Sequence, residues 1–133
     1  MKQKILVVDD EPQMRELLRM YLTQKGFQAN AAATSKEALK KVREKPFDCV
    51  VLDINLGGED GLQVLGSLKA VNPNLRVIML TGMGFVEDLL QEAQQKGADG
   101  YVSKVLPLDE LILTLQKALS PKPCADATAK VLE

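Results

Sequence analysis

Short apolar runs alternate with amphipathic stretches along the chain. Ile5-Leu6-Val7-Val8 is an apolar run closed by Asp9 and Asp10, the pattern of a buried strand. From Glu11 to Lys25, residues Met14, Leu17, Leu18, Tyr21 and Leu22 recur at helical spacing. Pro12 suits the first helical turn and Gly26 stops the helix. Gln28 to Ala33 reads as a weaker strand. Thr34 or Ser35 can cap a helix over Lys36 to Lys45, with Ala38, Leu39 and Val42 inward. Phe47 to Leu52 is another apolar strand, ending in Asp53. Asn55 to Asp60, rich in Gly and acid, reads as a loop. Gly61 to Ala70 carries Leu62, Leu65 and Leu68 at helical spacing, and Asn72-Pro73-Asn74 is a turn. Leu75 to Leu80 predicts a strand ending at Thr81. Val86, Leu89, Leu90 and Ala93 mark a helix that stops at Gly97. Tyr101-Val102 is a short strand before Ser103-Lys104. Leu108, Leu111, Ile112, Leu115 and Leu119 mark a last helix, with Pro107 near its start, and Pro121 and Pro123 forbid its continuation.

Five strands thus alternate with five helices, each unit taking about 20 to 25 residues, the length of a crossover to a parallel strand. Nearly continuous apolar strands imply that both sheet faces are covered. The expected fold is α/β: a doubly wound, five-stranded parallel sheet, flavodoxin-like (βα)5, strand order 2-1-3-4-5, with a crevice at the carboxyl ends of the strands. Residues 1–119 form the expected domain. Residues 120–133 are small, polar and aperiodic, and read as a linker or disordered tail.

Composition narrows the chemistry. The 133 residues are 46% hydrophobic and 26% charged, the balance of a soluble globular domain. A formal net charge of −1 does not suggest a nucleic-acid binder. Histidine is absent, which removes His-ligated zinc, Ser-His and Cys-His triads, and a phosphohistidine on this chain. Aromatics are 4% with no Trp, too few for a base-stacking platform. Cys49 lies in an apolar run and Cys124 in the polar tail, so no disulfide framework is expected and a reduced, cytoplasmic protein is the natural reading. The apolar run at Ile5–Val8 is too short for a signal peptide or a membrane span.

Position gives the polar residues their meaning. Asp9 and Asp10 end the first strand, Asp53 the third, Thr81 the fourth and Lys104 the fifth. Right-handed crossovers bring all five strand ends to one edge. Three carboxylates, a hydroxyl and an ammonium therefore converge. Crowded carboxylates call for a compensating cation, and hard oxygen ligands with partial solvent access favour Mg²⁺. The set suits phosphoryl transfer onto a carboxylate: one Asp attacks phosphorus, while the metal, a lysine and a hydroxyl stabilise the phosphoryl oxygens. Asp53 is the best nucleophile, because its strand is central and Gly57 and Gly58 open space beside it. Asp9 and Asp10 would hold the metal.

These residues resemble the pattern of the two-component response-regulator receiver domain, over Lys4 to Leu119. That family has an acidic pair after the first strand, a phosphoacceptor Asp after the third, Ser/Thr after the fourth and Lys after the fifth, matched by Asp9-Asp10, Asp53, Thr81 and Lys104. Gly61 matches the family glycine beyond the phosphoacceptor, and Lys96-Gly97-Ala98-Asp99-Gly100-Tyr101 is similar to the approach to its fifth strand. The resemblance implies a receiver that catalyses only its own phosphorylation and slow dephosphorylation. It implies Mg²⁺ on Asp10 and Asp53, with Asp9 close by and the Asn55 carbonyl completing the ligands. It also implies a histidine kinase or histidine phosphotransfer protein as partner, a switch through Thr81 and Tyr101, a phosphorylation-dependent dimer, and a role for Asn55 and Met83 in water access. Nucleic acid and membrane are not expected partners of this domain.

The sequence departs from the family twice. Leu56-Gly57 stands where Met-Pro is frequent, and Val105 follows Lys104 where proline is usual. A trans Lys104–Val105 bond is expected, because cis before a non-proline residue costs about 3–4 kcal/mol. Other readings exist for single residues: Asp9, Asp10 and Thr81 as helix caps, Lys104 as a surface lysine, Tyr101 as half-buried packing. Rival functions are an aspartyl-phosphate hydrolase, whose Asp-x-Asp follows the first strand, a flavin-binding domain of the same architecture, and a receiver-like module that no longer accepts phosphate. Turnover of small phosphoesters would mark the first and a yellow protein the second. Residues 120–133 are not expected to hold a DNA-binding, cyclase or kinase segment. The chain is read either as a stand-alone receiver or as a piece of a longer regulator, and the proline-containing tail favours the piece.

Overall fold

Alternate residues of each strand face opposite ways, and the chain exploits this to bury both faces of one sheet. The protein is described by a computed structural model covering residues 3–82, 87–103 and 108–119. In chain order its elements are β1 (Lys4–Val8), α1 (Pro12–Gln24), β2 (Gln28–Ala32), α2 (Ser35–Glu44), β3 (Cys49–Asp53), β4 (Asn55–Leu56), β5 (Glu59–Asp60), α3 (Gly61–Val71), β6 (Arg76–Thr81), α4 (Glu87–Gln95), β7 (Gly100–Ser103) and α5 (Leu108–Leu119). Five strands form a parallel sheet in the order β2-β1-β3-β6-β7. Setting aside the two-residue strands β4 and β5, this is the expected order 2-1-3-4-5.

Ile5 and Val7 pack with Leu18 and Leu22 of α1 and with Leu111 and Leu115 of α5. Leu6 and Val8 pack with Ala38 of α2, Leu65 of α3 and Ala93 of α4. One strand therefore feeds two cores, and all five residues of β3 are buried. Truncating a fully buried leucine such as Leu65 would cost about 2–5 kcal/mol.

The helix starts follow from local chemistry. Pro12 opens α1, where its missing N–H has no helical partner to lose. Thr34, rather than Ser35, caps α2: its hydroxyl accepts from the Glu37 N–H at 3.1 Å, and Glu37 accepts from the Ala33 N–H at 2.9 Å. Asp60 caps α3 by accepting from the Leu62 N–H at 2.9 Å.

Two expectations need correction. Residues 55–60 are not a plain loop but an antiparallel hairpin, Asn55 opposite Asp60 and Leu56 opposite Glu59. Its turn is made by Gly57 and Gly58 at φ +56° and +91°, the paired positive angles of a type I′ turn. Leu17, one of the residues that mark the helical spacing of α1, is 50% exposed, as is Met20. The core beneath α1 covers the stripe through Met14, Leu18 and Leu22. The third strand begins at Cys49 rather than Phe47, because the Asp48 N–H bonds the Lys4 carbonyl outside the regular ladder. Met83, Val86, Lys104, Val105, Pro107 and the segment 120–133 lie outside the described residues, and so does the conformation expected at the Lys104–Val105 bond.

Candidate functional site

Asp9 follows β1 directly and is held on three sides. Its N–H donates to the Ala32 carbonyl at 3.2 Å, its carboxylate Oδ1 accepts from the Glu11 N–H at 2.9 Å, and its carbonyl accepts from Arg15 Nη1 at 2.9 Å. Asp9 is fully buried. Its neighbour Asp10 points to the exposed side. Asp53 ends β3 opposite Leu80 and is 4% exposed. Its Oδ1 accepts from the Asn55 N–H at 3.1 Å. Both strand ends thus use a short side chain to organise the backbone two residues on.

One carboxylate oxygen each from Asp9, Asp10 and Asp53 lies within 4.8 Å of the others. Among the described residues this is the place where three acids meet in that way. Like charges at this spacing repel by about 1 kcal/mol per pair in water and several times more where solvent is partly excluded. A hard divalent cation with oxygen preference relieves that repulsion, and the donor set fits one. Beside the acids lies an open cavity of about 430 Å³, lined by Asp10, Asp53, Asn55, Gly57, Gly58 and Gly82 among others. It leaves room for waters and a phosphoryl group.

The glycines act more specifically than as mere openings. A Cβ on Gly57 would lie 3.3 Å from Asp10 Oδ2, so this glycine packs against Asp10 while it also lines, with Gly58 and Asp53, the space that the sequence pointed to. Thr81 ends β6, fully buried, in register with Ser103 of β7. Tyr101 is half-buried and pairs in register with Met79. It packs on the core beneath α4 and lines a cavity of about 280 Å³ with Leu90, Ala93 and Ala98. The structure therefore brings Asp9, Asp10, Asp53 and Asn55 together and sets Thr81 at the adjacent strand end. Tyr101 lies farther back on β7, and Lys104 is outside the described residues.

The family model for the response regulator receiver domain matches residues 5–116. The chain belongs to that family. This receiver is 35% identical over 122 residues to sporulation initiation phosphotransferase F of Bacillus subtilis, covering 92% of this chain and 98% of that protein. It spans only 28% of a transcriptional regulatory protein from Escherichia coli that it also matches. Its fold matches the response regulator TrrA of Thermotoga maritima in complex with Mg(2+)-BeF, with a TM-score of 0.79 and 37% identity, covering 88% of this chain and 99% of that one. A response regulator from Burkholderia pseudomallei with a phosphorylated aspartic acid, calcium ion and citrate matches with a TM-score of 0.79 and 25% identity, covering 98% and 74%. The receiver fold and a role in two-component signalling by phosphorylation follow for this chain.

Sequence reasoning overlooked Arg15. A basic residue on a surface helix reads as solvated, and no local pattern announces that its guanidinium turns back to the Asp9 carbonyl. The charge of Arg15 also reaches Glu37. The Ala33 N–H, with Lys41 and Arg15 nearby, holds the Glu37 carboxyl below its ordinary value. Among the described residues, no helix is long and apolar enough to cross a membrane.

Proposed function

We propose that Asp53 is the phosphoacceptor of this receiver and that Asp9, Asp10, Asp53 and the Asn55 carbonyl hold Mg²⁺. The observation that carries the reading is the approach of the Asp9, Asp10 and Asp53 carboxylates within 4.8 Å at the edge of an open cavity. A carboxylate oxygen of Asp53 attacks phosphorus of a phosphohistidine on a partner kinase or phosphotransfer protein. The new acyl O–P bond forms as the P–N bond breaks, and its electron pair leaves with the imidazole. The bound metal would offset the negative charge gathered by carboxylates and phosphoryl oxygens. Asp53 Oδ1 already accepts the Asn55 N–H, which helps to hold the carboxylate at the cavity edge for attack. Lys104 supplies a second cation and Thr81 a hydroxyl to the phosphoryl group.

The resulting phosphoaspartate adds roughly two negative charges to the site. Drawing Thr81 toward them opens room toward Tyr101, and the surface of α4, β7 and α5 changes by population shift. Dimer formation would follow from that surface. The catalysis is limited to the domain's own phosphorylation and slow dephosphorylation. The working compartment is the cytoplasm, residues 1–119 form the receiver, and 120–133 are a linker or disordered tail. Incubation with acetyl phosphate and Mg²⁺ followed by peptide mapping tests the assignment. Phosphate is expected on Asp53 and lost in Asp53→Asn. Labelling elsewhere, or labelling that survives the substitution, overturns it.

A further inference from the structure

The segment after Asp53 forms one wall of the acidic cavity and contains no proline to stiffen it. Its path is set by the β4–β5 hairpin and the turn at Gly57-Gly58. An isolated two-stranded hairpin is marginal in water, so contacts outside it must hold it. Leu56, 1% exposed, anchors one strand in the core. The other strand is anchored by Glu59. Its Oε2 accepts from the Ser35 hydroxyl at 2.6 Å and its Oε1 from the Ser35 N–H at 3.3 Å. Ser35 is the first residue of α2, where backbone N–H groups lack helical partners and the helix dipole favours a carboxylate. The helix itself is rooted in the core by Ala38 and Val42. The hairpin is therefore tied to a fixed element at Glu59, and its turn rests on Asp10 through Gly57.

We propose that Ser35 and Glu59 form a positioning clasp that holds residues 55–60 in place over the acidic cluster and so sets its affinity for Mg²⁺. The inference rests on the reading that this cluster binds the metal used in phosphorylating Asp53. Neither residue touches the reacting atoms. They act through the hairpin, which meets Asp10 at Gly57 and leads back through Asn55 to Asp53 Oδ1. With the clasp closed, the wall is ordered before the cation arrives, so binding need not order it. With the clasp open, ordering accompanies binding. The Mg²⁺ concentration for half-maximal phosphorylation rises, while the rate at saturating Mg²⁺ stays, because the bound ion restores the same geometry. For charge-assisted bonds near the surface the expected rise is roughly threefold to fivefold.

The test uses the full chain, with initial rates of acetyl phosphate labelling across a Mg²⁺ series and calorimetry of Mg²⁺ alone. Ser35→Ala changes no charge, so its effect is free of long-range attraction for the cation. Ser35→Ala should raise half-saturation roughly threefold. In the background of Glu59→Ala, adding Ser35→Ala should do nothing further, because the two share one interaction. Ser35→Thr should restore the parent value, and the saturated rate should be unchanged throughout. Parent-like Mg²⁺ affinity in Ser35→Ala, additive effects of the two substitutions, failure of Ser35→Thr, or a lowered saturated rate overturns the clasp. Asp10→Ala separates the two levels. If it weakens binding about tenfold or more while the clasp variants do not shift it, only the clasp fails. If it too binds Mg²⁺ normally, the reading of the metal site falls with it.

Discussion

A Cβ on Gly61 would lie 2.3 Å from the main-chain carbonyl oxygen of Asp53, and 2.7 Å from both Ile54 Cα and the Ile54 carbonyl oxygen. The first residue of α3 is thus seated directly on the backbone at the end of β3. The Gly61 N–H completes the contact by donating to the Ile54 carbonyl at 2.8 Å. No side chain fits there without moving backbone, which has no flexible end to give way. The glycine that matches the family pattern therefore has a steric reason in this chain.

Gly61→Ala should force α3 away from the strand end or displace Asp53 itself. Overpacking of this kind costs about 1–3 kcal/mol. Denaturant unfolding should show the loss, and acetyl phosphate labelling of Asp53 should slow. A variant with parent stability and parent labelling rate would show that the helix start adjusts without strain.

Asp9 and Asp10 should separate in their effects. Asp10 is exposed and lines the cavity, so Asp10→Ala should leave folding intact while weakening Mg²⁺ by about tenfold or more. Asp9 is fully buried and its Oδ1 holds the Glu11 N–H. Asp9→Ala should lower stability as well as metal affinity. Calorimetry for Mg²⁺ and thermal unfolding of the two variants, run together, check the split. Equal unfolding midpoints in both would contradict it.

Tyr21 should titrate late. Its hydroxyl donates to Asp109 Oδ1 at 2.5 Å, joining α1 to the first turn of α5. Bonding to that carboxylate raises the phenol above its ordinary value, with burial and the negative charge of Asp109 adding to the effect. The sign follows: the fold favours the neutral phenol. The contact's contribution to stability is fully present below the unfolded value near about 10 and is lost as pH rises through the higher folded value. Tyrosinate absorbance should show a late component that disappears in Tyr21→Phe and moves to lower pH in Asp109→Asn. An unmoved component in Asp109→Asn would remove the carboxylate as its cause.

The sequence by itself determined the architecture and which groups meet at its edge. Apolar runs such as Ile5–Val8 and Cys49–Leu52 require cover on both faces, and amphipathic stretches of the right length supply it. The handedness of the crossovers then leaves no choice about the edge on which Asp9, Asp10, Asp53 and Thr81 gather. These are consequences of local periodicity and chirality, which a linear pattern carries in full. Tertiary structure decided the rest. The bonds from Ser35 to Glu59 and from Arg15 to the Asp9 carbonyl join groups whose meeting depends on where whole helices settle on the sheet. The exposure of Leu17 and Met20 likewise depends on how α1 is rotated against its neighbours. The hairpin at 55–60 took shape because α3 starts hard against Asp53 and turns the chain back within a few residues. Such details are fixed by packing between elements distant in sequence, and no spacing along the chain records an angle between two helices.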